Sequence, residues 1–191
     1  VIAFVHAMIV DHRMFARQVS ELKEQYRVLV WDMPQHGQSV KLDETFSIST
    51  AAKCFIELLD ELKIEKSVVA GVSMGGYVSQ VIADMYPERV IGVAMTGAHP
   101  LHIKLSRPML FVFKITSLLF KILPLSIFKN YITAMTPGDD SKDYIESMFS
   151  QVTKRRLLQI FEGLRAQILI GIDEPVQAPV LIANGEKEAP L

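Results

Sequence analysis

The stretch Gly71-Val72-Ser73-Met74-Gly75-Gly76 decides the fold, because it joins two segments with different hydrophobic patterns. Residues 67–72 form an apolar run typical of a buried strand, and a helical pattern follows from Met74 to Met85. The glycines on either side of Ser73 lack Cβ atoms, so strand and helix can approach each other closely. The sequence therefore predicts a tight, strained strand–helix turn that projects the Ser73 hydroxyl above a sheet.

Apolar runs and helical patterns alternate along the first half of the chain, which predicts an α/β fold with a mostly parallel sheet covered on both faces by helices. Asp11 and Ser47 are expected to cap two of the helices. The predicted strands are residues 1–5, 27–31, 67–72, 90–95, 168–172 and 179–183. The mainly helical residues 98–172 are interpreted as a cap inserted after the fourth strand. Residues 1–97 and 173–191 are then the two parts of the core.

Composition limits the possible classes of protein. Of the 191 residues 50% are hydrophobic and 21% are charged, and the mean hydropathy is +0.26, which excludes a disordered chain. A net charge of −1 gives no general attraction for nucleic acid. The single cysteine, Cys54, can form neither an internal disulfide nor a cysteine-based metal site. We expect a cytoplasmic protein.

The pattern Gly71-x-Ser73-x-Gly75, between a strand and a helix, resembles the nucleophile elbow of the α/β-hydrolase fold family. The resemblance covers nearly the whole chain. It implies that Ser73 is a nucleophile and that the Met74 N–H, at a helix N-terminus, stabilises an oxyanion. The alternative interpretation is a glycine-rich turn with an incidental serine.

Two further segments resemble this family. In Phe4-Val5-His6-Ala7-Met8 the resemblance implies a second oxyanion donor, the Met8 N–H, with Ala7 where the family has glycine. An alanine would cost about 1 kcal/mol or more there if the position needs a positive φ. His6 is interpreted as structural. Residues 31–39 resemble a D-x-P-G-H-G-x-S loop, with Gln35 replacing the first glycine, and this loop is also interpreted as structural.

The segment 178–188 resembles the family's strand followed by G-x-x-D, which implies that Glu188 is the acid of a Ser–acid–His triad. Glu186 and, more distantly, Asp173 remain alternatives, and a surface carboxylate is the structural interpretation of Glu188.

In this family the triad residues follow one another along the chain as Ser, acid and His, and this sequence has no His after the acid. The five histidines, His6, His12, His36, His99 and His102, all precede Glu188. Three explanations stay open: the chain is cut at both ends, the protein is a pseudo-enzyme, or His99 or His102 takes the place of the missing histidine. We favour the first explanation, and we expect the 191-residue chain alone to have little or no hydrolytic activity.

The most apolar segment, residues 108–128, is interrupted by Lys114, Lys121 and Pro124, so it predicts an amphipathic cap helix rather than a membrane span. Arg107, Lys114 and Lys121 are seven residues apart and share a helix face. We favour a lid whose apolar side packs over the active site. The alternative is a lid that also contacts an anionic lipid surface.

Together the resemblances imply an esterase- or lipase-like serine hydrolase that acts on a hydrophobic small molecule without a metal or organic cofactor. Two alternatives stay open. One is a non-catalytic protein that binds a small ligand on the same fold. The other is a C–C hydrolase, lyase or acyltransferase that uses the same triad. The sequence carries no signal for an oligomeric state.

Overall fold

Parallel strands form the centre of the computed structural model, which describes residues 1–39, 45–136 and 138–185. The strands in this part of the chain are Ile2–Val5 (β1), Val28–Val30 (β2), Ser67–Val72 (β3), Val90–Thr96 (β4) and Val180–Ala183 (β5). They form one sheet in the order β2-β1-β3-β4-β5, and every neighbouring pair is parallel. The predicted α/β class is confirmed.

Helices connect the strands in the predicted alternation. They are Ala16–Leu22 (α1), Ile48–Glu61 (α2), Met74–Met85 (α3), Arg107–Ile122 (α4), Leu125–Met135 (α5), Asp139–Gln151 (α6) and Lys154–Ile170 (α7). Both predicted caps are confirmed. The Asp11 carboxylate accepts a hydrogen bond from the Arg13 N–H at 3.0 Å, at the start of the short turn that leads into α1. Ser47 Oγ accepts one from the Thr50 N–H at 2.9 Å at the start of α2.

The predicted strand at residues 168–172 is wrong, because α7 continues to Ile170. Its buried side chains follow helical spacing, namely Leu157, Ile160, Phe161, Leu164 and Ile168. Gly171, at φ 75°, ends the helix. A short apolar run does not distinguish a strand from the end of a buried helix, and here the helix packs against the core.

The two faces of the sheet differ. Along β3, Val69 and Gly71 are buried while Ala70 and Val72 are partly exposed. The buried face is covered by α3, whereas all four residues of β5 are exposed. Helices flank the sheet as predicted, but within the described residues the face that carries Ala70 is covered only in part, where Phe4 packs against Phe15.

Helices α4 to α7 lie between β4 and β5 in the chain, where the cap was predicted, and the division at residues 97 and 172 stays a prediction. One anchor of this segment is Gly163 of α7, because a Cβ atom there would collide with the main-chain oxygen of Phe46. None of the helices in the described ranges has the length and apolar character needed to cross a membrane.

Candidate active site

Ser73 lies at the junction of β3 and α3, as the sequence predicts. Its backbone has φ 53° and ψ −116°, a left-handed conformation that side chains rarely adopt. Two hydrogen bonds hold the turn: the Ser73 N–H donates to the Thr96 carbonyl at 2.8 Å, and the Gly76 N–H donates to the Ser73 carbonyl at 2.9 Å. The predicted strained strand–helix turn is confirmed.

The glycines beside Ser73 are required by main-chain contacts. A Cβ atom on Gly71 would collide with the carbonyl of Gly75, and one on Gly75 would collide with the carbonyls of Val5 and His6. The spacing of the motif therefore reflects two close approaches, one between β3 and α3 and one between α3 and the end of β1.

Ser73 opens into a cavity of about 420 Å³ between the segment that follows β1 and the helices α5 and α6. The lining is largely apolar: Ala7, Met8, Ile9, Val10, Met14, Ile132, Thr136, Ser141, Tyr144, Ile145, Met148 and Phe149. Among these described residues none carries a formal charge. A cavity of this kind suits an uncharged apolar ligand.

The resemblance implies that the N–H groups of Met8 and Met74 are oxyanion donors, which stays a prediction. Met8 lines the cavity, and Met74 is the first residue of α3. Within the described residues neither N–H donates a hydrogen bond to another protein group. The positive φ in this loop falls at Ile9, at 63°, and not at Ala7. The alanine that replaces the family's glycine is therefore unstrained, and the β-branched Ile9 carries the strain instead.

His6 is engaged through both ring nitrogens. Its Nδ1 donates to the Ala7 carbonyl at 2.8 Å, and its Nε2 accepts from the Met33 N–H at 3.0 Å. Burial lowers the pKa of His6, which keeps the ring neutral. The side chain thus joins the end of β1 to the loop of residues 31–39, in agreement with a structural role.

Asp32 fastens the same loop to the turn before α1. One carboxylate oxygen accepts from the main-chain N–H and from Nδ1 of His12, both at 2.8 Å, and the other accepts from the Gln38 N–H at 2.8 Å. Burial alone would raise the pKa of Asp32, but these donors outweigh it and the pKa is lowered. Gln35, where the resemblance has glycine, adopts φ 65°.

His36 is buried beside His6, with the ring centroids 4.9 Å apart. Its Nδ1 donates to the Pro34 carbonyl at 2.9 Å. Burial lowers the pKa of His36 to about 3. The ring is therefore a neutral part of the packing beneath the cap.

No histidine of the chain reaches Ser73 in the part that the structure describes. None of the five lines the Ser73 cavity or hydrogen-bonds to the serine. His99 is buried, with Nδ1 2.8 Å from the Tyr77 hydroxyl, and His102 is exposed. Neither candidate substitute lines the cavity or hydrogen-bonds to Ser73.

The predicted acids are not brought to the site. Glu188 and Glu186 lie outside the described residues. Asp173 is exposed in the connection between α7 and β5 and does not line the cavity.

Tyr144, on α6, is a site residue that the sequence did not reveal. Its hydroxyl lies 3.0 Å from the Asp11 N–H, which donates to it, and 3.0 Å from the Asp11 carboxylate, to which it can donate. Arg13 completes the group, with its guanidinium 2.8 Å from the same carboxylate and 5.5 Å from the centre of the Tyr144 ring. The sequence offered only an amphipathic helix pattern at this position.

Comparison with known proteins decides the family. The family model described as alpha/beta hydrolase fold matches residues 1–130. The chain belongs to this family. It is 40% identical over 75 residues to 3-oxoadipate enol-lactonase 1 of Acinetobacter baylyi, a match that covers 39% of this chain and 28% of that protein. It is also 36% identical over 77 residues to an acetyltransferase component of the acetoin cleaving system of Pseudomonas putida, covering 40% and 21%. These matches span less than a third of the curated relatives.

Solved structures of α/β hydrolases share the fold over nearly all of the chain. A thermophilic esterase from Thermogutta terrifontis has a TM-score of 0.77 at 19% identity, with 97% of this chain and 71% of that chain covered. The enol-lactonase from Burkholderia xenovorans has a TM-score of 0.74 at 20% identity, with 97% and 72% covered. At this level of identity the likeness concerns the fold alone.

Proposed function

We propose that this α/β-hydrolase fold protein is a serine hydrolase. Its substrate is proposed to be a hydrophobic small molecule in which it cleaves an ester or a similar carbonyl group. The observation that carries the proposal is the backbone of Ser73. A serine held at φ 53° between β3 and α3, and open to an apolar cavity, has the geometry of a nucleophile rather than of a surface turn. Strain of this kind persists only where the surrounding structure enforces it.

The cavity supports the substrate class. Its described lining carries no formal charge, so a charged group would lose its hydration without gaining a partner. An acyl chain or an aromatic ring would instead gain the apolar contacts of α5 and α6. The esterases and enol-lactonases among the similar proteins, whose names denote ester and lactone substrates, favour the same class.

In the proposed reaction Ser73 Oγ attacks the carbonyl carbon, and the N–H groups of Met74 and Met8 stabilise the negative oxygen that forms. The proton of Ser73 passes to a histidine and then to the departing alcohol. Water hydrolyses the resulting acyl-serine by the same steps. Glu188 is proposed to orient the histidine, which we place outside these 191 residues because none of the five in the chain reaches Ser73.

A fluorophosphonate probe tests the nucleophile. The protein as its cells produce it should be labelled on the peptide that contains Ser73, and Ser73→Ala should abolish labelling. Ser126→Ala, in an exposed position on α5, is the matched control and should leave labelling unchanged. Labelling that persists in the Ser73→Ala protein would refute the proposal.

The 191-residue chain alone should hydrolyse nitrophenyl esters little or not at all. Turnover by this chain that disappears in Ser73→Ala would show that a base is already present, which would contradict the assignment of the histidine.

A second candidate is a protein that binds a small apolar ligand without chemistry. The observation in its favour is the absence of any histidine near Ser73 in the described residues. Retention of an apolar ligand by the whole protein, with no labelling by the fluorophosphonate, would favour this candidate.

A further inference from the structure

Helix α4 presents an apolar stripe to solvent. Phe111, Ile115, Leu118 and Ile122 follow the spacing of one helix face, with exposed fractions of 64, 41, 53 and 62%. Ile127 and Tyr131 of α5 are also exposed, at 46 and 63%. We use the term cap stripe for these six residues. Scattered exposed apolar residues are ordinary, but a row of them along one helix face is typical of an interaction site.

The opposite side of α4 holds the helix in place. Ser117 donates a hydrogen bond to Glu162 of α7 at 3.0 Å. The Phe120 ring stacks on Phe128 and Phe161, with centroids 4.3 Å apart in each case. No residue of α4 lines the Ser73 cavity. The favoured expectation, a lid whose apolar side packs over the active site, therefore does not describe α4, because its apolar side points outward.

Positive charge borders the cap stripe. Arg107 lies four residues before Phe111, and Lys114 lies three residues after it. Lys121 lies three residues after Leu118. Residues three or four apart are neighbours on a helix surface, so all three basic residues adjoin the cap stripe. Lys121 forms an ion pair with Glu162 at 3.3 Å. Arg107 and Lys114 have no ion-pair partner among the residues described. The sequence from residue 89 to 138 contains no Asp or Glu.

We propose that the cap stripe and its basic border dock this protein on the surface of an anionic lipid bilayer. A bilayer offers both parts of the complement, since its acyl region receives the apolar row and its phosphate and carboxylate headgroups receive the basic side chains. α4 then lies parallel to the surface.

A second copy of the chain fits the same surface less well. A symmetric contact would place the stripe against itself, because both partners of such a pair use the same patch. The basic borders of the two copies, each with Arg107 and Lys114, would then lie in one interface, and residues 89–138 supply no carboxylate to compensate their repulsion. Charge complementarity therefore favours the bilayer.

Co-sedimentation with lipid vesicles tests the proposal. The protein should bind vesicles containing about a third phosphatidylserine roughly tenfold or more tighter than vesicles of phosphatidylcholine alone, and added salt should weaken the binding. The double variant Phe111→Ser/Leu118→Ser should lose at least about tenfold in affinity. The variant Arg107→Glu/Lys114→Glu should lose the preference for anionic lipid. Phe111→Trp should show a blue shift of its fluorescence when anionic vesicles are added.

The matched controls are Ile91→Ser, an exposed apolar residue on β4 at 51%, and Lys66→Glu, an exposed lysine before β3, and both should bind as the wild type does. Ser73→Ala should also bind normally, because docking does not depend on the proposed chemistry. Equal urea midpoints would show that the variants are folded. Failure of the wild type to bind anionic vesicles, or undiminished binding by the Phe111→Ser/Leu118→Ser protein, would overturn the proposal. So would self-association in solution that the same variant abolishes.

Discussion

The Tyr144 hydroxyl accepts a hydrogen bond from the main-chain N–H of Asp11 at 3.0 Å, across 133 residues of sequence. This contact ties α6 of the cap to the loop that carries Met8. The two walls of the Ser73 cavity are therefore held together at one point.

The first prediction concerns this tie. Tyr144→Phe removes the acceptor of the Asp11 N–H and one donor to the Asp11 carboxylate, so we expect the free energy of unfolding to fall by about 1–3 kcal/mol. Urea denaturation measures it. Tyr131→Phe, in which an exposed hydroxyl is removed, is the control and should change stability by less than about 0.5 kcal/mol. Equal stability of Tyr144→Phe and the wild type would show that the tie contributes nothing.

The second prediction concerns the close approach of α3 to β1. Gly75→Ala places a Cβ atom against the carbonyls of Val5 and His6, and main chain cannot move aside cheaply. We expect a loss of about 3 kcal/mol or more in the free energy of unfolding. Gly92→Ala is the control, because its Cβ would meet only the Pro179 carbonyl at 3.3 Å. If both variants unfold at the same urea concentration, the explanation given for the motif is wrong.

The third prediction is a dependence of stability on pH. The pKa of His36 is about 3 in the fold and about 6.5 in the unfolded chain, so between these values the unfolded state binds more protons. Stability due to the neutral ring is therefore complete above pH 6.5 and is lost as the pH falls toward 3. From pH 7 to pH 5 we expect a loss of about 2 kcal/mol from this group.

Urea midpoints over this range provide the measurement. The lowered pKa values of Asp11 and Asp32 change the stability only below about pH 4, so these two residues do not contribute to the change between pH 7 and pH 5. His36→Asn should make the profile shallower without levelling it, because burial also lowers the pKa of His6 and of His99, whereas His102→Gln, at an exposed position, should leave the slope unchanged. A wild-type profile that is level between pH 7 and pH 5 would contradict the prediction.

The fourth prediction concerns chain-length selectivity and depends on the proposed nucleophile. Ile132 of α5 lines the cavity, so Ile132→Trp should fill part of its 420 Å³. We expect labelling by a long-chain alkyl fluorophosphonate to slow by about tenfold or more, and labelling by a short-chain probe to change much less. Ile127→Trp, on the exposed side of the same helix, is the matched control. If Ile132→Trp slows labelling by the two probes equally, the alkyl chain of the probe does not lie beside Ile132 and the prediction is wrong.

Local rules predicted the parts of this molecule that depend on local geometry. Glycines such as Gly71 and Gly75 beside the end of a strand indicate a close approach of main chains. Asp11 and Ser47 accept hydrogen bonds from helix N–H groups two or three residues away. The error at residues 168–172 shows the limit of such rules, since only packing against the core distinguishes the end of α7 from a strand. The coverage of the sheet is likewise a property of the assembled fold.

The candidate site was predicted only in part for the same reason. Ser73 follows from its motif, and Met8 and Met74 from the resemblance. Tyr144 meets Asp11 only because α6 folds back against the segment that follows the first strand, and no spacing in the sequence encodes that contact. The outward direction of the apolar side of α4 was also hidden, because a helical wheel shows that an apolar face exists and not what covers it.

The two sides of helix α5 have different surroundings. Ile132, and Thr136 just after the end of the helix, line the Ser73 cavity, while Ile127 and Tyr131 are exposed. Under the two proposals made above, the inner side would set acyl selectivity and the outer side would set adsorption to lipid, so the two could be altered independently by mutation. A library confined to the inner positions would then change acyl preference without changing lipid binding.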